Sequence, residues 1–329
     1  MAWLRRTWGD GRDRDEDHPI VIVWQVAAAF LPLAIAMAAQ DRFMLAILAV
    51  AGAQALFVSG WDFLGGVSGQ ISLGHALPFG AGAYAAAFLS GWGLVPPGVA
   101  LVGGALAGVL AGALQGMLGA RLHRVALALL TLATAEAGRE AARMLRVPWP
   151  GGIIVGGNGG LPAAALPLDE AAAARLTAVM LAAALTSLLW VSRSRLGLAL
   201  RLAGADARLA GASGIDVAGV RIAAFAIGGG LAGLAGGLVA SLTGRAALTL
   251  LSLEWSLFAL AVGSAGGLGT IVGPGLLAYA FAVALQWLDV PGTARLSLFA
   301  TLAIIVTVGA AAGVRTQPSR PRRSGILNA

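Results

Sequence analysis

Apolar residues along this chain fall in long blocks, with little alternation, and most blocks have the length needed to cross a bilayer. They run at roughly 20–39, 43–60, 67–91, 96–118 and 122–138, then 173–192, and finally 219–243, 252–265, 269–288 and 295–314. A spanning helix needs about 20 apolar residues, because lipid offers nothing to backbone amides and the segment must satisfy its own. The pattern predicts an all-α, polytopic helical membrane protein of about eight to ten transmembrane helices, the 252–265 block being short enough to be re-entrant. Polar stretches set off an N-terminal tail at 1–19, a transmembrane domain at 20–314 and a basic C-terminal tail at 315–329.

One polar interval, 193–221, stands out inside the transmembrane domain. It carries five arginines and two aspartates between apolar blocks. If Leu198 to Ala210 is helical, Leu198, Leu202, Ala205 and Leu209 share one stripe, with Arg201 and Arg208 beside it and Asp206 on the other flank. At ~1.5 Å per residue such a helix is about 20 Å long and too charged to cross lipid, so it lies at the membrane surface or docks on a protein.

A second interval, Gly65 to Tyr84, is apolar but repeatedly weakened as a helix. Gly66, Gly69, Gly74, Gly80, Gly82 and Pro78 are interleaved there with Gln70, Ser72 and His75. Broken helices at membrane depth are tolerated only where protein or a water-filled cavity satisfies the freed backbone, so this stretch reads as part of a solute path. Elsewhere, Gly104, Gly108, Gly112 and Gly116 recur every four residues, as do Gly228, Ala232, Gly236 and Ala240. Each row predicts a smooth helix face for close packing.

Composition agrees and excludes several function classes. Hydrophobic residues make up 58% of the chain and charged residues 11%, which no soluble domain matches. All 22 basic residues are arginine, and without lysine the chain cannot form a P-loop, so ATP chemistry would belong to another subunit. Cysteine is absent, and His18, His75 and His123 are far apart, so neither a metal site nor a cofactor is expected. With both tails inside, inner segments hold fifteen arginines and outer ones seven, a bias that places the N- and C-termini in the cytoplasm. Arg139 and Arg143 fall outside on this count, where Glu136 and Glu140 stand at pairing distance, i to i+3.

Gly69-Gln70-Ile71-Ser72-Leu73-Gly74-His75 resembles the GQ-x-SLGH signature of the permeases of branched-chain amino acid ABC importers. Three further motifs follow in the same order: Gly156 to Leu161, then Ser194-Arg195-Leu196-Gly197 with Arg201, Gly214 and Ile215, then Ser252-Leu253-Glu254 with Gly266 to Thr270 and Gly273-Pro274. The similarity covers about residues 45 to 290 and is nearer the M-type subunit than the H-type. It implies an ABC importer permease bundle in the bacterial inner membrane, with no enzymatic activity of its own. The implied partners are a second permease forming a heterodimer, two cytoplasmic ATPase subunits, a periplasmic solute-binding protein and membrane lipid, and no nucleic acid. Gly69, Gln70, Ser72, Gly74, His75 and Asn158 become the candidate translocation path. Arg195, Gly197, Arg201, Asp206, Arg208 and Gly214 become the candidate ATPase-coupling loop. The charged run usual after Arg201 is replaced by Gly204, Ala205, Ala207 and Gly211, which shifts contact to Asp206 and Arg208.

Two other classes compete. An ion-coupled secondary transporter would use Asp62, Glu136 or Glu254, all near block ends where snorkelling or capping explains a carboxylate. Gly66-Val67-Ser68-Gly69 also matches the GxSG serine motif of rhomboid proteases, with His123 as the base, although that histidine is expected to be solvated between Arg121 and Arg124.

Overall fold

The computed structural model describes residues 19–288 together with 294, 297–299 and 301. The tails and most of the 295–314 block lie outside the described residues. Helices follow the apolar blocks. The first block is α1 (Pro19–Ala29) and α2 (Leu31–Ala38), parted at Phe30, where Pro32 in the first turn of α2 removes an amide from the helical ladder. Then come α3 (Arg42–Asp62), α4 (Ala76–Gly91), α5 (Pro97–Gly119), α6 (Arg124–Met144) and α7 (Glu170–Arg193). After the charged interval come α10 (Val217–Thr243), α11 (Leu253–Ala265) and α12 (Val272–Trp287). Among the described residues, five stretches are long and apolar enough to cross a membrane, and α11 and α12 are shorter apolar helices.

The charged interval departs from the predicted single helix. It forms α8 (Arg195–Ala205) and α9 (Ala207–Ala212), broken at Asp206, whose backbone is extended at φ −148°. Asp206 prefers the cap to the helix interior: its carboxylate accepts the amides of Arg208 and Leu209 at 3.0 and 3.1 Å.

Among the described residues, two short ladders interrupt the helical architecture. In the first, β1 (Arg146–Trp149) pairs antiparallel with β2 (Ile153–Gly156), and Trp149 packs near Phe88 and Trp92. In the second, β3 (Leu161–Pro162) pairs with β4 (Arg245–Ala246). These strands mark one end of the bundle. Three arginines tie the other end together. Arg221 donates to the Ala120 carbonyl at 2.9 Å, Arg193 to the Gln25 side chain at 2.7 Å, and Arg124 to the Gly204 carbonyl in α8.

The glycine rows decide how the middle packs. The row on α5 meets α10: a Cβ on Gly108 would lie 2.6 Å from Gly233 Cα, and one on Gly112 would lie 3.1 Å from Gly229 Cα. The partner glycines on α10 are thus Gly229 and Gly233. The row noted in the sequence, Gly228 to Ala240, turns the other way: Gly228 faces the Gly60 carbonyl on α3, and Gly236 faces that of Phe79 on α4. The long helix α10 therefore presents a small face on two sides and is gripped by α3, α4 and α5.

Gly233→Val is expected to be among the most damaging single changes, because backbone lines the space that its side chain would enter. A loss of about 1–3 kcal/mol or more in detergent unfolding would fit overpacking of this kind. Gly98→Ala, which meets nothing within 4 Å, should change stability by less than about 0.5 kcal/mol.

Candidate transport site at the broken helix

At Asp62 the regular α3 helix gives way to a π-helical turn, Phe63–Val67, and α4 begins only at Ala76. The apolar block at 67–91 is therefore one non-helical stretch followed by a helix. Local chemistry explains the interruption. Gly65 and Gly66 weaken the helix, and Gly69 takes φ +67°, a left-handed conformation that favours glycine. Pro78 falls in the first turn of α4, where its missing amide costs nothing.

The break frees backbone groups inside the bundle, and they are satisfied by identifiable partners. Ser68 N–H donates to the Phe63 carbonyl at 3.3 Å and Gln70 N–H to that of Leu64 at 3.1 Å, which closes the π turn. From α3, Trp61 Nε1–H donates to the Ser72 carbonyl at 2.8 Å. From α5, Gln115 donates to the Gly74 carbonyl at 3.1 Å and to Thr134 Oγ1 at 2.9 Å. From α6, Thr131 Oγ1 accepts the Leu73 amide at 3.1 Å, and from α11, Ser256 Oγ accepts the Ala76 amide at 3.1 Å. All four of these side chains are buried or nearly so. Four helices thus hold one unwound segment through its main chain.

The candidate path residues Gly69, Gln70, Ser72, Gly74 and His75 are brought together in this segment. Gln70 Nε2 donates to Ser68 Oγ at 3.0 Å, and Ser72 Oγ accepts the Gly74 amide at 3.3 Å. Gly74 packs against the Thr131 carbonyl with no room for a side chain. The buried His75 ring stacks 5.1 Å from Phe57, and its Nε2, close to Gly60, has no hydrogen-bond partner among the described residues. Asn158 is elsewhere. It is exposed on the turn Gly157–Gly159, beyond the far end of α6, a helix about 32 Å long at 1.5 Å per residue.

On the coupling loop, Arg195, Asp206 and Arg208 are exposed and Arg201 is half-buried. Gly197 is buried against the Ser192 carbonyl, and Gly214 adopts φ +82° in the turn after α9. The stripe Leu198, Leu202, Ala205 and Leu209 faces outward, while Leu200, Ala203 and Ala210 face the bundle.

Of the two readings of Asp62, the structure gives a cap and not a snorkel: it is fully buried, and its carboxylate accepts the amides of Gly269 and Ile271 at 2.8 and 3.1 Å, capping the turn between α11 and α12. The pairing at the other carboxylates is as the spacing predicts, with Glu136 3.3 Å from Arg139 and Glu140 2.6 Å from Arg143. The protease arrangement is not formed. Ser68 is buried with its hydroxyl donating to the Leu64 carbonyl, whereas His123 is exposed at the head of α6.

Trp61, Gln115, Thr131 and Ser256 were not anticipated. Gln115, Thr131 and Ser256 are polar groups in apolar blocks and Trp61 stands just past one, which signals a partner but does not name one.

A bundle of apolar helices around an interrupted, internally satisfied span is the architecture of a multi-pass membrane protein. A family model described as the branched-chain amino acid transport system / permease component matches residues 43–310, and the chain belongs to that family. No curated protein and no solved structure matches the chain.

Thr131→Val should leave the Leu73 amide unpaired in the interior and cost about 1–3 kcal/mol in detergent unfolding. Gln115→Leu should cost less, about 1 kcal/mol, since the Gly74 carbonyl keeps the Leu77 amide and Thr134 keeps the Thr131 carbonyl. Wild-type stability in both would show that the break needs neither partner.

Proposed function

We propose that this chain is one of two membrane subunits of an ATP-driven importer in the bacterial inner membrane. A periplasmic binding protein delivers branched-chain amino acids, or related small amino acids and amides, to the strand-bearing end. Two separate ATPase subunits act on the end that carries α8 and α9, which is cytoplasmic along with both termini. The observation that carries this reading is the uncovered apolar stripe on α8 and α9. Leu198, Leu202 and Leu209 are 61, 41 and 63% exposed, on a surface that also bears Arg195 and Arg208. Leucines presented in a row among charges mark a protein contact.

The same docking surface leads to the break. A Cβ on Gly204 in α8 would lie 2.6 Å from the Ser68 carbonyl, so α8 rests directly on the start of the unwound segment. ATP binding shifts the membrane domain only by the difference in the motor's affinity for the two conformations. Displacement of α8 then changes how Ser68 to His75 is held, and Gln70, Ser72 and His75 line the path once their present partners part. Solute contact at Asn158 belongs to the outer mouth. The ion pairs on the half-exposed surface of α6 support a neighbouring water-filled path or second permease, because lipid would penalise them.

An ion-coupled transporter is the weaker reading, because the fully buried intramembrane carboxylate Asp62 is already engaged by two backbone amides.

Leu202→Asp combined with Leu209→Asp should abolish co-purification of the ATPase and lower ATP-driven uptake in proteoliposomes by about ten-fold or more, with insertion unchanged. Replacing Arg201 and Asp206 together should uncouple solute-stimulated ATP hydrolysis. Solute uptake by the chain alone on an ion gradient would contradict the proposal.

A further inference from the structure

A continuous run of close contacts leads from α8 to the turn between α11 and α12. It begins where Gly204 meets the Ser68 carbonyl and Arg124 donates to the Gly204 carbonyl. Ser68 closes the π turn through its amide on Phe63 and its hydroxyl on Leu64, the latter at 2.6 Å. Inside that turn Gly66 packs onto Gly269 so tightly that a Cβ would fall 2.6 Å from Gly269 Cα. At the head of the same turn stands Asp62, holding the Gly269 and Ile271 amides. Thus Asp62, Gly66 and Ser68, spread over seven residues of one helix end, touch both the docking helix and the α11–α12 turn.

Two features indicate that this joint does more than close a helix end. A helix or turn is ordinarily capped by a residue a few positions away, yet the acceptor here is 207 and 209 residues distant and sits on another helix. The turn it holds is also unusual: Gly269 has φ +79° and Ile271 has φ +66°, the latter being the one positive value at a non-glycine among the described residues. A β-branched residue keeps such a conformation only when its surroundings impose it, and strain of this sort gathers at elements that switch. π turns inside helices likewise concentrate at functional positions.

We propose that Asp62 is the positioning residue that carries displacement of α8 into α11 and α12, by clamping the turn Gly266 to Ile271 onto the π-helical end of α3 so that the two move as one body. This deepens the importer reading and rests on it for the source of the displacement. The clamp itself is a property of the chain. Without it, α8 would still move Ser68, but α11 and α12 would lag behind.

Two arms test it. The first uses the full chain in lipid nanodiscs and hydrogen exchange read by mass spectrometry, and needs no partner. Asp62→Asn keeps the side-chain volume but offers one acceptor oxygen in place of two. It is expected to speed exchange about five-fold or more in peptides spanning 266–271 and also in those spanning 63–70 and 195–205. Acceleration confined to 266–271, or none, would overturn the proposal, since Asp62 would then be a local cap. The second arm uses the importer with its ATPase subunits and binding protein in proteoliposomes. Asp62→Asn should retain ATP hydrolysis while solute moved per ATP falls about ten-fold, and Asp62→Glu should recover part of that ratio. An unchanged ratio, or equal loss of hydrolysis and uptake in both variants, would overturn it. If wild-type vesicles move no solute on ATP, the importer reading fails, and the exchange result still decides the clamp.

Discussion

A backbone that leaves its helix inside a membrane must find hydrogen-bond partners in protein, and the structure is arranged around that requirement. Between Ser68 and Ala76 the chain gives up its own helical bonds, and Trp61, Gln115, Thr131 and Ser256 supply replacements from four helices. Each freed carbonyl or amide left unpaired in this interior would cost about 1–3 kcal/mol, so those helices do not drift apart independently. The interrupted span is therefore a junction as well as a gap, which suits a segment whose rearrangement has to be shared by its neighbours.

Close packing makes the junction possible. α10 carries small residues toward α5, α3 and α4 at once, and the Gly229–Gly112 and Gly228–Gly60 approaches bring backbones nearly into contact. Such faces exclude lipid from the bundle centre without filling it with bulky side chains. They also leave the outer surfaces of α5 and α6 to the remaining apolar residues, among them Leu106, Leu110 and Leu129, which are exposed in this chain. The glycines fix the inner geometry, and the polar residues at the break fix its register.

Much of this was legible in the sequence because membrane helices obey a simple length and hydropathy rule. The blocks, the weakened stretch at Gly65 to Tyr84, the charged interval at 193–221 and the Glu136 and Glu140 ion pairs all follow from local spacing. The extent of the break was not legible. Periodicity cannot say that Ser68 to His75 leaves the helix while Gly80 and Gly82, also glycines, stay within α4 and pack against Leu251 and Gly233. Nor does spacing separate Gly228 from Gly229 as contact residues, since one step along a helix turns the face by about 100°. Asp206 was read as a flank of one helix because its capping geometry depends on a backbone turn that the apolar stripe runs straight through. Asp62 was placed at a block end, and only the fold brings Gly269 and Ile271 to it.

If α8 is where the motor docks, the unwound segment answers to whatever is bound there. Because the chain has no cysteine, Ile71→Cys would supply a single thiol at the exposed tip of that segment. Its rate of reaction with a membrane-impermeant maleimide, measured in the assembled importer with and without a non-hydrolysable ATP analogue, is the most direct test. The rate is expected to change several-fold between the two states. Identical rates, with the analogue shown to be bound, would contradict it.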